Sequence, residues 1–188
     1  LTLLVSPTTE TASDFLGSTT SAVTTTGFET VTVNTGSFTT VAATAQNLGA
    51  FSIGATNDLK VLGTNNLVLA AGFVGKSIDA SGMTGSSILS MAAATSVDSI
   101  TGSARGDTIV GDSSSYLDGG AGNDILTGGS GNDTILGGDG VDTITSSGGV
   151  DSILGGAGND IIGNGTTGIT LSAGNVINGG DGTDTLTL

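Results

Sequence analysis

Residues 119–145 read GGAGNDILT, GGSGNDTIL and GGDGVDTIT, three consecutive blocks of nine. Glycine holds places one, two and four, aspartate place six, and an aliphatic residue place eight. Glycine permits positive φ and close backbone approach, so the first six residues of a block are expected to turn. The remaining three, such as Ile-Leu-Thr at 125–127, make a very short strand whose middle residue, Leu126, faces inward. Two blocks then form one coil, which turns back at each side, and successive coils stack at about 4.8 Å.

The array extends well beyond these three blocks. Its aliphatic positions are Ile100, Ile109, Leu117, Leu126, Ile135, Ile144, Ile153 and Ile162, evenly spaced except for a shortened step between Ile109 and Leu117. The matching acids are Asp107, Asp124, Asp133, Asp142, Asp151 and Asp160. Residues 110–118 offer Ser115 where the aspartate belongs, and SSGGVDSIL at 146–154 lacks the first two glycines. NGTTGITLSAGNVIN interrupts the array, and GGDGTDTLT at 179–187 restores it with Asp184.

Composition changes near residue 100. Of 34 Gly, 10 lie in residues 1–100 and 24 beyond; of 17 acids, 6 lie before that point and 11 after. We therefore divide the chain into a Thr/Ser/Ala-rich segment, 1–100, and a repeat segment, 101–188. The first holds short β-prone runs separated by Gly, Asn, Asp and Thr, including TVTVNTG (30–36), AFSIG (50–54), NNLVLAAG (65–72), KSIDASG (76–82) and SSILSMAA (86–93). Val68, Ile78, Ile88, Ile100 and Ile109 are its inward candidates, which makes it an irregular continuation of the same stack. SDFLGSTTSAVTTTG (13–27) reads as a linker, an edge rung or an interface. Helix signals are weak, AAATSVDSI at 92–100 included. The fold expected is all-β: a parallel β-solenoid whose irregular amino-terminal rungs continue into a regular roll.

With a formal net charge of −14 and only Lys60, Lys76 and Arg105 as bases, the chain has no basic footprint for nucleic acid. Cys and His are absent, so disulfides, zinc sites, thiol nucleophiles and imidazole bases are excluded. No apolar run is long enough to span a membrane. LTLLVSPTTE lacks a basic n-region and does not read as a signal peptide. A start at Leu1 reads as a piece of something larger.

Stacking sets like charge on like charge. Asp107, Asp124, Asp142 and Asp160 fall on one side of the array and Asp133 and Asp151 on the other. Carboxylates this close repel by roughly a kcal/mol per pair even in water. Three bases cannot neutralise them, whereas a hard divalent cation can. Aspartates joined by turn carbonyls make an all-oxygen cage of the kind Ca²⁺ prefers. Mg²⁺ demands strict octahedral geometry, and Zn²⁺ and Cu²⁺ lack nitrogen and sulfur ligands here. The alternative is that each aspartate merely satisfies its own turn.

The pattern GGxGxDxUx over about residues 102–187 resembles the RTX (repeat-in-toxin) nonapeptide family. The resemblance implies a parallel β-roll with several Ca²⁺ ions between stacked turns. Its metal ligands carry over to Asp107, Asp124, Asp133, Asp142, Asp151, Asp160 and Asp184. The turn glycines Gly120, Gly122, Gly129, Gly131, Gly138, Gly140, Gly156, Gly158, Gly180 and Gly182 carry over with them. Asp107 follows GSARG and Asp184 follows an insertion, so their stacking partners are open. Asp79 and Asp98 read as solvated turn residues, and Asp112, Asp118, Asp139 and Asp181 lie off the ligand phase. Arg105-Gly106-Asp107 spells an adhesion tripeptide and Asn164-Gly165-Thr166 a glycosylation sequon; both read as chance.

Catalysis is not expected, because hydroxyl nucleophiles here have no base. The resemblance implies a secreted or cell-surface chain exported by type I secretion that folds on meeting calcium. The leading expectation is a structural, self-assembling protein like RTX surface-layer (S-layer) subunits, with calcium ions, further copies of itself and cell-surface polysaccharide as partners, and no membrane insertion. The alternatives are the calcium-binding tail of a secreted protease, lipase or epimerase, or an adhesin. Ice-binding RTX adhesins carry Thr at place three, where this chain has Ala121, Ser130, Asp139 and Ala157.

Overall fold

A computed structural model describes residues 2–4, 23–24, 30–34, 46–48, 51–53, 55–64, 66–69, 73–84, 89–91, 97–163 and 171–188. The stretches 13–22, 25–27 and 92–96, most of the interruption (164–170) and the sequon at 164–166 fall outside them. Among the described residues there is no helix, and every strand pairing is parallel.

Two sheets carry the chain. The first holds nine strands, in the order Thr2–Leu4, Thr30–Asn34, Asp58–Gly63, Ser77–Met83, Ser99–Thr101, Tyr116–Ala121, Thr134–Asp139, Ser152–Ala157 and Val176–Asp181. The second holds eight: Gln46–Leu48, Leu67–Leu69, Leu89–Met91, Thr108–Val110, Ile125–Thr127, Thr143–Thr145, Ile161–Ile162 and Thr185–Leu186. The chain passes from one sheet to the other and back, which is a β-solenoid. A third, two-stranded pairing joins Val23–Thr24 to Phe51–Ser52. The compositional change at residue 100 leaves no break, since Ser99–Thr101 pairs with Ser77–Met83 on one side and Tyr116–Ala121 on the other.

Register follows from the strand period of two. In the first sheet Leu59, Ile78, Ile100, Leu117, Ile135, Ile153 and Ile177 lie in one column. In the second, Ile109, Leu126, Ile144, Ile162 and Leu186 lie in another. These residues join a single buried cluster, in which each fully buried Leu or Ile contributes about 1.5–3 kcal/mol. Only the last coil departs, with Ile177 partly buried and Leu186 exposed. A thin core of aliphatic columns explains how the chain dispenses with tryptophan.

Two details differ from expectation. Leu67 and Leu69 point into the core, not Val68 between them, because an all-apolar triplet gives no polar marker to phase the alternation. Ile88 lies outside the described residues; its neighbour Leu89 is buried. In the first sheet pairing also continues into the turn, with Gly120 opposite Gly138 and Ala121 opposite Asp139, so places one to three remain strand there. Across the interruption Ser152 pairs with Val176 and Ile161 with Thr185, so the extra residues are accommodated without loss of register.

Candidate metal centre

Each aspartate at place six follows a glycine-rich bend and turns its side chain inward. Asp124, Asp133, Asp142, Asp151 and Asp160 are all 2% exposed or less. One carboxylate oxygen does structural work. The backbone N–H of Asp107 donates to Asp124 Oδ1 (2.6 Å), that of Asp124 to Asp142 Oδ1 (2.8 Å), and that of Asp142 to Asp160 Oδ1 (2.9 Å). Asp160 N–H donates in turn to Asp184 Oδ1 (3.0 Å). On the opposite flank Ser115 N–H donates to Asp133 Oδ1 (2.8 Å) and Asp133 N–H to Asp151 Oδ1 (3.0 Å). Two ladders therefore run along the stack, with the phases read from the sequence, and Asp184 stands on Asp160.

The other oxygen has no such role. Oδ2 of Asp124, Asp133, Asp142, Asp151 and Asp160 is buried with no hydrogen-bond partner. Burying an unpaired carboxylate oxygen is costly, so a repeated row of them calls for a counter-charge. A turn that only needed its own backbone satisfied would leave no such row.

The glycines explain why the oxygen stays free. A methyl group built on Gly119 would come within 3 Å of both Asp124 Oδ2 and the Gly137 carbonyl oxygen. Gly137 stands in the same way beside Asp142 Oδ2 and Gly155 O, and Gly155 beside Asp160 Oδ2 and Gly179 O. Carboxylate and carbonyl oxygens thus flank one small space, which any side chain at place one would fill. These place-one glycines are absent from the set of positive-φ glycines, so they are glycine for room. Gly120, Gly122, Gly129, Gly131, Gly138, Gly140, Gly156, Gly158, Gly180 and Gly182 all have positive φ, so these are glycine for conformation. The carbonyls of Gly120, Gly122, Gly138, Gly140, Gly156 and Gly158 point at the matching glycine of the next coil.

Asp107 is different. Ser103 N–H donates to its Oδ2, while Leu89 N–H and the Ser103 hydroxyl serve its Oδ1. Ser103 stands where later blocks carry a positive-φ glycine, and its N–H reaches the carboxylate. At 1% exposure Asp107 is also too buried to present an adhesion tripeptide. Ser115 occupies the place-six slot of its block and accepts Asp112 N–H through Oγ (3.0 Å).

Burial raises the carboxyls of Asp107, Asp133 and Asp142, against the lowering effect of the N–H groups they accept. Burial also raises Asp124; the Asp107 N–H opposes it, and the charges of Asp107, Asp142 and Asp118 add to it, leaving it at about 7. Among the described residues no three carboxylates gather at one point, so any cation cage here must be completed by backbone oxygens. The donor set is oxygen throughout, which fits calcium.

Sequence reasoning missed two groups. One is the place-one glycines, whose invariance across the full copies was the available signal. The other is the place-five asparagines: Asn123, Asn132 and Asn159 accept the N–H groups of Val141, Val150 and Thr183 at 2.8–2.9 Å, a second ladder beside the carboxylates. Asp98 and Asp139 are exposed and Asp79 is half-buried, with Asp79 Oδ1 accepting Ser81 N–H.

A family model described as the RTX calcium-binding nonapeptide repeat matches the chain in four copies, at residues 101–135, 111–144, 136–166 and 171–188. Neither the curated proteins nor the solved structures compared with the chain gave a match.

Proposed function

Because residues 101–166 and 171–188 are RTX calcium-binding nonapeptide repeats, we propose that the chain is a calcium-dependent structural protein of the cell surface or extracellular matrix that assembles with further copies of itself. The observation that carries this reading is the row of five buried carboxylate oxygens without a protein donor. Asp124, Asp142 and Asp160, with the Gly137, Gly155 and Gly179 carbonyls, hold the ion on one flank; Asp133 and Asp151 serve the other. Bound calcium supplies the positive charge that Lys60, Lys76 and Arg105 cannot. Extracellular modules of this class bind at about 10⁻⁴ to 10⁻³ M, so the turns stay open in a low-calcium cytoplasm and close outside it.

The chain is not catalytic on this reading: its buried acids are engaged in the turns, and its sequence has no histidine or cysteine to act as base or nucleophile. Secretion through a type I system and contact with surface polysaccharide belong to the same proposal. Support for assembly comes from the continuation of the same two sheets through the Thr/Ser/Ala-rich segment, which adds an extended β surface to the calcium roll. Electron microscopy of purified chain with and without millimolar calcium tests it. Sheets or filaments that appear only with calcium are expected. A chain that remains monomeric in calcium overturns the assembly role and leaves it as the binding module of another secreted protein.

A further inference from the structure

Given that the turns bind calcium, the two flanks of the roll are not equivalent, and the geometry points to a loading order. One flank is an unbroken run. Asp124, Asp142 and Asp160 each have a buried Oδ2 without a donor, and each faces a place-one carbonyl of the next coil. Asp184 continues the run through its bond to Asp160 N–H. The other flank has two carboxylates, Asp133 and Asp151, set between the neutral side chains of Ser115 and Asn175.

The level between Asp151 and Asn175 is the most altered. Asn175 stands in the aspartate slot, and its Oδ1 accepts Asp151 N–H at 3.2 Å. Its Nδ2 is therefore turned to the place of the second carboxylate oxygen, and that Nδ2 is buried without an acceptor. An amide NH₂ only donates, so it repels a cation. One coil earlier, in the turn of Asp151, Ser146 puts a side chain in the slot that Gly128 leaves open beside Asp133 Oδ2, and its Oγ is also buried without a partner. This mixture of donor and acceptor suits a water molecule, which both accepts and donates, and not a hard cation, which needs oxygen lone pairs on every side. The Asn175 level is closed to calcium. The Asp124–Asp184 flank loads first, and the Asp133–Asp151 flank follows.

The test is a calcium count by equilibrium dialysis and a calorimetric titration of the full chain, with folding followed by far-UV circular dichroism. Two classes of site are expected. Asp142→Asn should weaken the tighter class roughly tenfold or more, whereas Asp133→Asn should leave it within about twofold. Asn175→Asp, which keeps the Oδ1 acceptor and converts the donor into an acceptor, should raise the count by about one ion per chain. The loading order is overturned if folded Asn175→Asp protein binds no additional ion, or if Asp133→Asn and Asp142→Asn weaken the same class equally. No calcium uptake by any form would remove the binding function itself; uptake by a single uniform class would remove only the inequality of the flanks.

Discussion

At the scale of single residues, the two oxygens of a place-six aspartate such as Asp142 differ: Oδ1 continues the hydrogen-bond ladder, and Oδ2 is buried without a hydrogen-bond partner, the oxygen proposed to meet a cation. The proton is the simplest competitor for that oxygen. A free aspartate titrates near 3.9, whereas Asp124 in the stack is raised to about 7 by burial and its charged neighbours. Between those values the folded chain holds protons that the unfolded chain has released. The part of calcium-free stability linked to this carboxyl is therefore fully present below about pH 4 and is lost as pH rises through about 7. Thermal melts in chelator should show a midpoint falling over that window, and melts in calcium should not. A calcium-free midpoint that climbs with pH would contradict the burial assigned to Asp124. Glycine offers a second test. Gly137→Ala puts a methyl against Asp142 Oδ2 and Gly155 O, while Gly148→Ala meets nothing within 4 Å. The first should cost about 1–3 kcal/mol in calcium and weaken binding; the second should stay within about 0.5 kcal/mol. Chemical denaturation of both variants decides between room and flexibility as the reason for glycine.

At the scale of elements, three-residue strands are stable only as members of a column. Asp142 has a carboxylate coil on either side, whereas Asp184 bonds only to Asp160. Asp142→Ala should accordingly lose more of the calcium-induced stabilisation than Asp184→Ala, measured as the calcium-dependent shift in melting temperature. Equal shifts would show that the coils act independently. The period of nine made these columns readable, because place eight recurs as Leu or Ile and place six as Asp whatever lies between. The reading failed where the period supplies no marker. Leu67-Val68-Leu69 has no polar residue to phase it, and its true inward pair emerged only from the packing. The interruption hid both the Asp184–Asp160 stack and the substitution of Asn175, since loop length does not fix register. The role of Gly137 was equally hidden, because sequence does not distinguish a glycine needed for φ from one needed for space.

At the scale of the whole molecule, stability rests on two aliphatic columns flanked by two acidic ones, the former favouring the stack and the latter opposing it until a cation is bound. Removal of calcium by chelator should reduce β structure in residues 97–188. Far-UV circular dichroism across roughly 0–10 mM calcium, the range in which extracellular modules saturate, reads the gain, and an unchanged spectrum would defeat the coupling of binding to folding. The ladders have one more property. Every N–H in the carboxylate ladder belongs to the earlier coil and every acceptor to the later one. The stack therefore has a head and a tail, as a polar filament does. In this ladder the late end presents aspartate N–H groups and the early end presents carboxylate oxygens. Growth and fraying at the two ends are therefore chemically different events.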